Sequence, residues 1–544
     1  MRKSTERQRS SQQNVSTLDK TLLYSAGVIL GFYIITSVMT FQHLPPLPTL
    51  EDMVQPGAGL HSKLQVTKGG GDNGNQSEFP PETFPQTIRS APLEKIIHPA
   101  VEIIPSLEIP NMTVPAFYDP PQFEPHGGIR SYLGNYGKKL MTPTQALSVG
   151  SKVNGLQTIF VAIASYRDFQ CRQTVESIFT RATNPERIRV AVIDQIEKEV
   201  DVPCSQPESP CDEDPSQVLC RYSKQIDFFT MDAQYAMGPV FARHLGNRMY
   251  RGEYFAIQSD AHVDYILDWD TSIIQQWTNA NNEMAVMTAY LSDVHNSMDS
   301  EGRNIRTTRP IMCKSDFEDF GATRHLRHGQ QPEGPAMIHN EPTLEPFWAA
   351  GFSFARGHFI VNVPYDQHLP WVFQGEEISI GIRGFTYGYD FYTPETSPCF
   401  HYYAKADKTG KRGTVKLFWE NARKLDRAKV KEVEVGGMKR LNGIIQMSPP
   451  EVTPDSWLHV DEEKYGIGQV RKPQKFFDTF GIHMKNFKTE DHLCRFVGKI
   501  MHRIWIQHLR KDRMGIDYDK ITYQFKDPDI YGITWAKLLP KTTK

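Results

Sequence analysis

The stretch TIFVAIASYRDFQCRQTVESIFTRATNPERIRVAVI, residues 158–193, alternates two apolar runs with an amphipathic segment. The first run, which ends at Ser165, has the length and composition of a buried strand. The next segment carries apolar side chains at helical spacing, at Val175, Ile178, Phe179 and Ala182. RIRVAVI then predicts a second strand. This order predicts a parallel strand pair joined by a right-handed helical crossover.

The same alternation continues downstream. QIDFFTM (225–231) and YFAIQ (254–258) predict two more strands with a helix between them. That helix carries apolar side chains at Phe241, Leu245 and Met249. Further strands are predicted at EMAVMTA (283–289) and GFSFARG (351–357). Strands that alternate with helices predict an α/β fold with a mostly parallel sheet.

The composition limits the classes of function. The 544 residues are 39% hydrophobic and carry a net charge of −2, which suits a soluble core. A near-neutral chain argues against broad nucleic-acid binding, because that needs a basic face to neutralise phosphates. The seven cysteines lack the two closely spaced pairs of a zinc site. In an oxidising compartment we expect one or two disulfides, with the pairing open, among Cys171, Cys204, Cys211 and Cys220.

The segment TLLYSAGVILGFYIITSVMTF, residues 21–41, predicts a membrane anchor. It contains no charged residue and, as a helix, spans about 30 Å. Basic residues crowd residues 1–20, and cationic flanks stay cytoplasmic. We therefore expect a single-pass type II protein of the Golgi or ER membrane, with residues 1–20 as its cytoplasmic tail. The alternative is a cleaved signal peptide, but the apolar run is too long and no small-residue cleavage site follows.

The rest of the chain divides by composition. Residues 42–150 are rich in Pro, Gly, Ser and Thr and predict an extended stalk. Residues 151–405 predict the catalytic domain, and residues 406–544 a C-terminal extension packed on it. Asn75 and Asn111 begin glycosylation sequons, for which a chance match is the alternative.

The segment QSDAHVDYILDWD (258–270) concentrates candidate metal ligands where the predicted strand ends. Residues i and i+2 of an extended chain point the same way, so Asp260 and His262 can aim at one point, with Asp264 continuing that face. A carboxylate beside an imidazole suits Mn²⁺, and Mg²⁺ less well. The alternative is that Asp260 caps a turn and His262 is a loop residue, because Asp-x-His is short enough to arise by chance.

Four motifs together resemble a known family. They are QSDAHVDYILDWD, MGPVFARHLGNRMYRGEYFAI (237–257), FWAAGFSFARG (347–357) and FQGEEISIGIRGFTYGYDFYTP (373–394). They resemble the polypeptide α-N-acetylglucosaminyltransferase family and, more distantly, the polypeptide N-acetylgalactosaminyltransferases. The resemblance runs from about 157 to 401 and covers none of the stalk. It implies a GT-A fold, in which a Rossmann-like sheet binds a nucleotide sugar and a metal ion.

The resemblance also implies roles for particular residues. Asp260 and His262 would hold the cation that bridges the phosphates of UDP-GlcNAc, and Ala261 replaces the serine usual between them. His401 is placed as a third ligand, with a surface histidine as the alternative. Donor contacts are implied at Ser165, Arg167, Asp168, Arg243 and Gly351, where ordinary salt bridges, a solvent-facing arginine or a strand bulge are the alternatives.

The carboxylates of QGEE carry the implied catalytic roles. Glu376 aligns with the active-site acid of the family, followed by Glu377 and by Arg383 along a helix. The alternative is a helix start enriched in acids, which the helix dipole favours. Trp348 is a candidate for the wall of the sugar pocket, with a place in the core as the alternative, and Asp390 is a weaker candidate than the two glutamates.

The sequence therefore predicts a retaining, metal-dependent transferase that moves N-acetylglucosamine from UDP-GlcNAc to a hydroxyl of a protein or glycan acceptor in the secretory pathway. Three alternatives remain: a catalytically silent sugar- or nucleotide-binding protein, a transferase that uses another UDP-sugar, and a metal-dependent hydrolase. The intact ligand and acid set argues against silence. No second metal motif is visible beside Asp260, which argues against the hydrolase.

Overall fold

The computed structural model describes residues 93–96, 112–320, 323–329, 331–336, 338–405, 410–420, 426–490, 493–494, 497 and 500–521. All of them belong to a compact unit that spans residues 77–544. In these ranges no helix has both the length and the apolar character needed to cross a membrane. The predicted tail, the predicted anchor at 21–41 and both lumenal sequons lie outside the described residues.

The described chain mixes strands and helices throughout. The strands used below are β1 (Leu93–Ile96), β2 (Met112–Pro115), β3 (Ile159–Tyr166), β4 (Ile188–Ile196), β5 (Ile226–Asp232), β6 (Phe255–Asp260), β7 (Val263–Tyr265), β8 (Ala285–Thr288), β9 (Ser315–Phe320), β10 (Thr323–His328), β11 (Thr343–Leu344), β12 (Phe352–Arg356), β13 (Asp390–Thr393) and β14 (Cys399–His401). The longer helices are α1 (Cys171–Thr180), α2 (Pro239–Arg248), α3 (Trp269–Asn279), α4 (Glu376–Tyr387), α5 (Arg427–Ile444) and α6 (Pro473–Phe480). Short strand pairs lie at Lys152–Val153 with Leu156–Gln157, Thr308–Pro310 with Glu333–Pro335, and Ile482–His483 with Lys488–Thr489.

An eight-stranded sheet forms the centre of the fold, in the order β11-β13-β8-β12-β6-β3-β4-β5. The pairs β3–β4, β4–β5, β3–β6 and β8–β13 are parallel. The pairs β6–β12, β12–β8 and β11–β13 are antiparallel. The predicted α/β fold with a mostly parallel sheet is confirmed, and the reversed direction of β12 is the feature that periodicity alone did not show.

Helices α1 and α2 are the crossovers between parallel strands. Val175, Ile178 and Phe179 of α1 are buried against the sheet, as their helical spacing predicted. Phe241 and Leu245 of α2 are buried in the same core. Burial on both faces explains why β3 and β4 are nearly continuous apolar runs, which is the pattern of a covered parallel sheet.

The strand order reverses at β3, and the candidate site lies beside this reversal. The chain runs from β3 outward to β4 and β5, and then returns to the other side of β3 as β6. Loops that leave the carboxyl ends of β3 and β6 therefore diverge and open a crevice. Ala164 of β3 pairs with Asp260 of β6 at that edge.

Residues 112–149, which composition assigned to the stalk, are part of the packed unit. Phe123, Ile129 and Leu133 are buried in the core that includes the central sheet. Gly127 and Gly128 adopt φ values of +80° and +91°, which glycine tolerates, so the chain turns here instead of extending. The predicted stalk boundary at residue 150 is therefore wrong for the described residues, because the Pro- and Gly-rich composition forms tight turns between short helices.

The C-terminal region contributes to the same core. Met438 and Leu441 of α5 and Phe476 and Phe480 of α6 are buried in it. A disulfide joins Cys313 to Cys494 across the domain. Two further disulfides, Cys171–Cys204 and Cys211–Cys220, pair the four cysteines for which one or two bridges were expected. Cys399 is free and buried.

Candidate active site

Three potential metal ligands meet at the carboxyl end of β6. Asp260 ends β6, and His262 stands just before β7. Strand β14 pairs with β7 and places His401 opposite Val263. One ligand atom from each of Asp260, His262 and His401 lies within 4.8 Å of the others. The structure thus brings together side chains that are up to 141 residues apart, as 401 minus 260 gives for His401 and Asp260.

The donor set fits a divalent cation. Nε2 of His401 lies 3.6 Å from Oδ2 of Asp260, and the two imidazole rings meet edge to face with centroids 4.4 Å apart. Nδ1 of His401 is buried and makes no hydrogen bond within the described residues. One carboxylate oxygen with two imidazole nitrogens suits Mn²⁺ and related transition metals better than Mg²⁺.

Gly351 allows the backbone of the β12 edge to approach Asp260. Its carbonyl oxygen accepts a hydrogen bond of 3.1 Å from the Asp260 N–H. A Cβ atom at position 351 would lie 3.2 Å from Oδ2 of Asp260, tighter than ordinary contact. The small residue therefore leaves room for the candidate metal ligand, whereas the sequence had suggested room for a donor.

Arg243 joins Asp260 to Glu376. Its Nη2 donates to Oδ1 of Asp260 at 2.7 Å, and its Nη1 donates to Oε1 of Glu376. Burial opposes ionisation of Asp260, yet the hydrogen bond with His401 and the charge of Arg243 hold its pKa below its usual value. Burial by itself lowers the pKa of Arg243. The carboxylate of Glu376 raises that pKa, and the guanidinium stays cationic.

Glu376 and Glu377 open α4 and face the cavity with different partners. Burial raises the pKa of Glu376 in spite of Arg243. Glu377 accepts hydrogen bonds from the Ala350 N–H at 2.8 Å and from the Tyr290 hydroxyl at 2.9 Å. Burial likewise raises the pKa of Glu377. Glu377 therefore positions Tyr290 and the segment beside Gly351.

Asp168 contacts a candidate metal ligand. Its Oδ2 lies 2.8 Å from Nδ1 of His262, and both its oxygens accept from Nη1 of Arg412 at 2.7 and 2.8 Å. Burial disfavours the charge, but the contact with His262 lowers the pKa of Asp168 overall. The residue predicted to face the nucleotide therefore holds a histidine in place.

Other predicted site residues do not line this cavity. Arg167 forms ion pairs of 2.7 Å with Glu197 and with Asp201, as in the salt-bridge alternative. Ser165 is fully buried, and Gln195 donates to its backbone carbonyl.

Arg383, Asp390 and Trp348 are structural as well. Arg383 is buried about two turns of α4 beyond the carboxylates, where it donates to the Pro364 carbonyl at 2.7 Å. Asp390 pairs with Arg471 at 2.9 Å, and Trp348 is buried in the core. Glu376 and Arg383 share a face of α4, but the rise of the helix carries Arg383 about 10 Å along the axis, away from the cavity.

The cavity has a volume of about 420 Å³. The residues described above line it together with a group of aromatic side chains, the aromatic rim. That rim consists of Tyr290, Phe373, Tyr403, Phe418 and Trp419. The sequence did not predict the rim, Arg412 or Tyr290. The motif LFWEN at 417–421 was the available signal for part of it, since large aromatic side chains in a charged segment are unusual on an ordinary surface.

The chain is similar to known glycosyltransferases. Residues 158–210 and 199–486 match the family described as Glycosyltransferase (GlcNAc), more than half of the chain. No curated protein matches the sequence significantly. A crystal structure of GalNAc-T7 with UDP, GalNAc and Mn²⁺ is 13% identical, with a TM-score of 0.35 over 77% of this chain and 70% of that chain. A structure of residues 1–349 of S. aureus TarS is 11% identical, with a TM-score of 0.28 over 52% of this chain and 71% of that one.

Proposed function

Because the chain belongs to the GlcNAc glycosyltransferase family, we propose that it is a retaining, metal-dependent transferase that moves N-acetylglucosamine from UDP-GlcNAc to a hydroxyl of a protein or glycan. One observation carries the proposal. Asp260, His262 and His401 converge in a cavity that also contains the Arg243–Glu376 pair. Transfer from a diphosphate donor requires metal ligands, a fixed positive charge and an acid in one cleft.

Arg243 provides fixed positive charge for a leaving diphosphate. Its guanidinium is buried and held in place by two carboxylates, so it needs no reorganisation when negative charge develops. A divalent cation held by Asp260, His262 and His401 would supply Lewis-acid stabilisation of the same phosphates. Asp168 orients His262 for this role through the contact with Nδ1.

Glu376 orients the sugar or the acceptor hydroxyl. Arg243 holds one of its oxygens, and burial in the cleft restrains its carboxylate. In a retaining reaction the acceptor attacks from the face that the diphosphate leaves, and the departing phosphate takes the acceptor proton. The chain then contributes mainly position and charge, with the aromatic rim excluding water.

A UDP-release assay, with a measurement of UDP-GlcNAc binding beside it, separates this function from its rivals. Purified protein is incubated with UDP-GlcNAc, UDP-GalNAc, UDP-glucose and UDP-galactose, with Mn²⁺ or with EDTA, and release of UDP is measured. Release from UDP-GlcNAc that needs Mn²⁺ and rises with an acceptor peptide library supports the transferase. Release that no acceptor stimulates indicates a hydrolase, preference for another donor indicates a different transferase, and binding without turnover indicates a silent protein.

We also propose that the catalytic unit faces the lumen of the Golgi or ER. The support is the uncharged segment at 21–41 with its basic flank, together with three disulfides in the described unit. Protease added to intact microsomes should leave the catalytic unit protected and should cleave it once detergent opens the membrane. Cleavage without detergent would contradict this orientation.

A further inference from the structure

A second and larger cavity lies at the opposite ends of two helices that also border the active site. It measures about 850 Å³. The first turns of α2, including Pro239 and Arg243, line the catalytic cavity, whereas Asn247 near the end of α2 lines the second one. Pro239 and Asn247 are separated by about 12 Å along the helix axis. Tyr387, at the end of α4, accepts a hydrogen bond of 3.2 Å from Arg130, which also lines the second cavity.

The walls of this cavity combine an apolar floor, aromatic rings and carboxylates. The floor is formed by Ile129, Ile360, Val361 and Pro364. The rings belong to Phe117, Tyr118, Tyr136 and Tyr250. The carboxylates are those of Asp119, Asp461, Glu462 and Glu463. A concave, mostly apolar surface of about 300–1,000 Å³ with a few convergent polar groups is the usual form of a small-ligand site.

Two polar groups in the wall have unused hydrogen-bonding capacity. Asn247 is only 5% exposed, and its Oδ1 accepts from the Tyr365 N–H at 3.0 Å. Within the described residues the amide nitrogen of Asn247 makes no hydrogen bond. Nε of Arg130 is buried and also lacks a hydrogen-bond partner there, although its Nη2 donates to the Lys464 carbonyl at 2.9 Å. A buried donor such as Nε of Arg130 is costly unless a ligand or water satisfies it.

The charges of the second cavity and the contacts between its cations and aromatic rings argue against some classes of ligand. Four carboxylates outnumber Arg130 and Lys464, so the cavity disfavours phosphates and nucleotides. A cationic peptide is disfavoured too, because the ring of Phe117 already has Lys464 at 4.8 Å and Arg248 at 4.4 Å, while Arg130 stands 5.4 Å from the ring of Tyr136. Donors, acceptors and apolar surface in one space suit a neutral ligand with many hydroxyls.

We propose that this second cavity binds a neutral oligosaccharide, through hydroxyl contacts to Glu462, Glu463 and Asn247 and packing of sugar rings on its apolar floor. Since the two cavities lie at opposite ends of α2, occupation of the second leaves the first open to the donor. The binding of an oligosaccharide does not depend on the proposed function. Its identification as part of the glycosylated acceptor does rest on the proposed function.

Binding is tested on the full chain without donor or metal. Saturation-transfer NMR and calorimetric titration are run with trimers of N-acetylglucosamine, mannose and galactose, and with trilysine and inorganic phosphate as contrasting probes. We expect at least one neutral trimer to bind, and the double variant Glu462→Ala/Glu463→Ala to bind it about tenfold more weakly. Both positions are exposed in a short helix, and alanine at 462 also removes the contact of Glu462 with His459, so circular dichroism checks the fold of the double variant.

The matched control is Glu432→Ala, an exposed glutamate on α5 outside both cavities, which should bind the trimer as the unchanged protein does. Release of UDP from UDP-GlcNAc is measured in the unchanged protein and in Glu432→Ala, where it should be the same, so a failure of the proposed function is seen separately. The proposal is overturned if no neutral trimer binds, if only trilysine or phosphate binds, or if the double variant and the control bind equally well.

Discussion

The imidazole of His262 lies against the carboxylate of Asp168, with Nδ1 2.8 Å from Oδ2. A carboxylate beside Nδ1 leaves Nε2 of the same ring free for a metal ion and favours one direction of the ring. Arg412, which also lines the cavity, donates to the same carboxylate. Asp168 thus links a candidate ligand to a cationic side chain of the cavity wall.

Replacing Asp168 with Asn should weaken Mn²⁺ binding without removing a ligand. The amide cannot hold His262 with a charge-assisted bond, and loss of such a partner typically costs about 10–100-fold in metal affinity. Titration of Mn²⁺ by electron paramagnetic resonance gives the affinity of each variant. Arg167→Gln, a nearby change outside the cavity, should leave that affinity unaltered, and equal affinity in Asp168→Asn would contradict the role given to Asp168.

Replacing Gly351 with Ala should disturb the candidate metal site through one methyl group. The added Cβ would lie 3.2 Å from Oδ2 of Asp260 and would displace the carboxylate or the β12 edge. We expect a Mn²⁺ affinity at least severalfold lower, with the melting temperature little changed. Gly436→Ala is the matched control, because no atom lies within 4 Å of a Cβ there and alanine favours the α5 helix. Identical Mn²⁺ affinity in both variants would disprove the steric argument.

The sequence predicted the sheet better than the edges of the domain. Continuous apolar runs and helical spacing revealed β3, α1, β4 and β6, because burial of both sheet faces leaves a strong apolar pattern. Asp260 and His262 were predictable from local spacing, whereas His401 came from resemblance. Contacts such as Arg412 with Asp168 depend on tertiary packing across 244 residues, which no local pattern records.

The error at residue 150 has a different physical origin. Proline and glycine content was taken to predict an extended stalk, but the same residues also form tight turns and helix starts. An extended stalk leaves the apolar side chains between the turns exposed, whereas a packed segment buries them in a core. Phe123 and Ile129 are buried in the core.

Truncation of the chain tests whether residues 112–149 stabilise the folded unit. A chain that starts at residue 92 keeps β1, β2 and the helices after them, whereas a chain that starts at residue 150 loses the buried side chains of Phe123, Ile129 and Leu133. Each such side chain contributes about 1.5–3 kcal/mol. We expect the shorter chain to melt at least several degrees lower or to aggregate. Equal melting temperatures for the two chains, measured by differential scanning fluorimetry, would restore the boundary at 150.

His328 should make the fold sensitive to acid. Burial lowers its pKa from 6.5 to about 3, so the unfolded chain binds a proton that the folded chain does not between these values. Stability is therefore full above pH 6.5 and is lost as the pH falls toward 3, by about 2 kcal/mol between pH 7 and 5. Urea unfolding at both pH values should show a smaller loss in His328→Phe.

The exposed residue His295 provides the control for that comparison. His295→Phe should lose the same stability between pH 7 and 5 as the unchanged protein. If His328→Phe also loses the same amount, the acid sensitivity has another source.

The convergence of Asp260, His262 and His401 on one cation is the central claim, and the release of UDP from UDP-GlcNAc at a series of Mn²⁺ concentrations tests it most directly. We expect Asp260→Ala and His401→Ala each to lose at least 100-fold in Mn²⁺-dependent turnover while keeping the circular dichroism of the unchanged protein, and we expect Glu432→Ala to keep full activity. Undiminished, Mn²⁺-dependent turnover in either ligand variant would contradict the account.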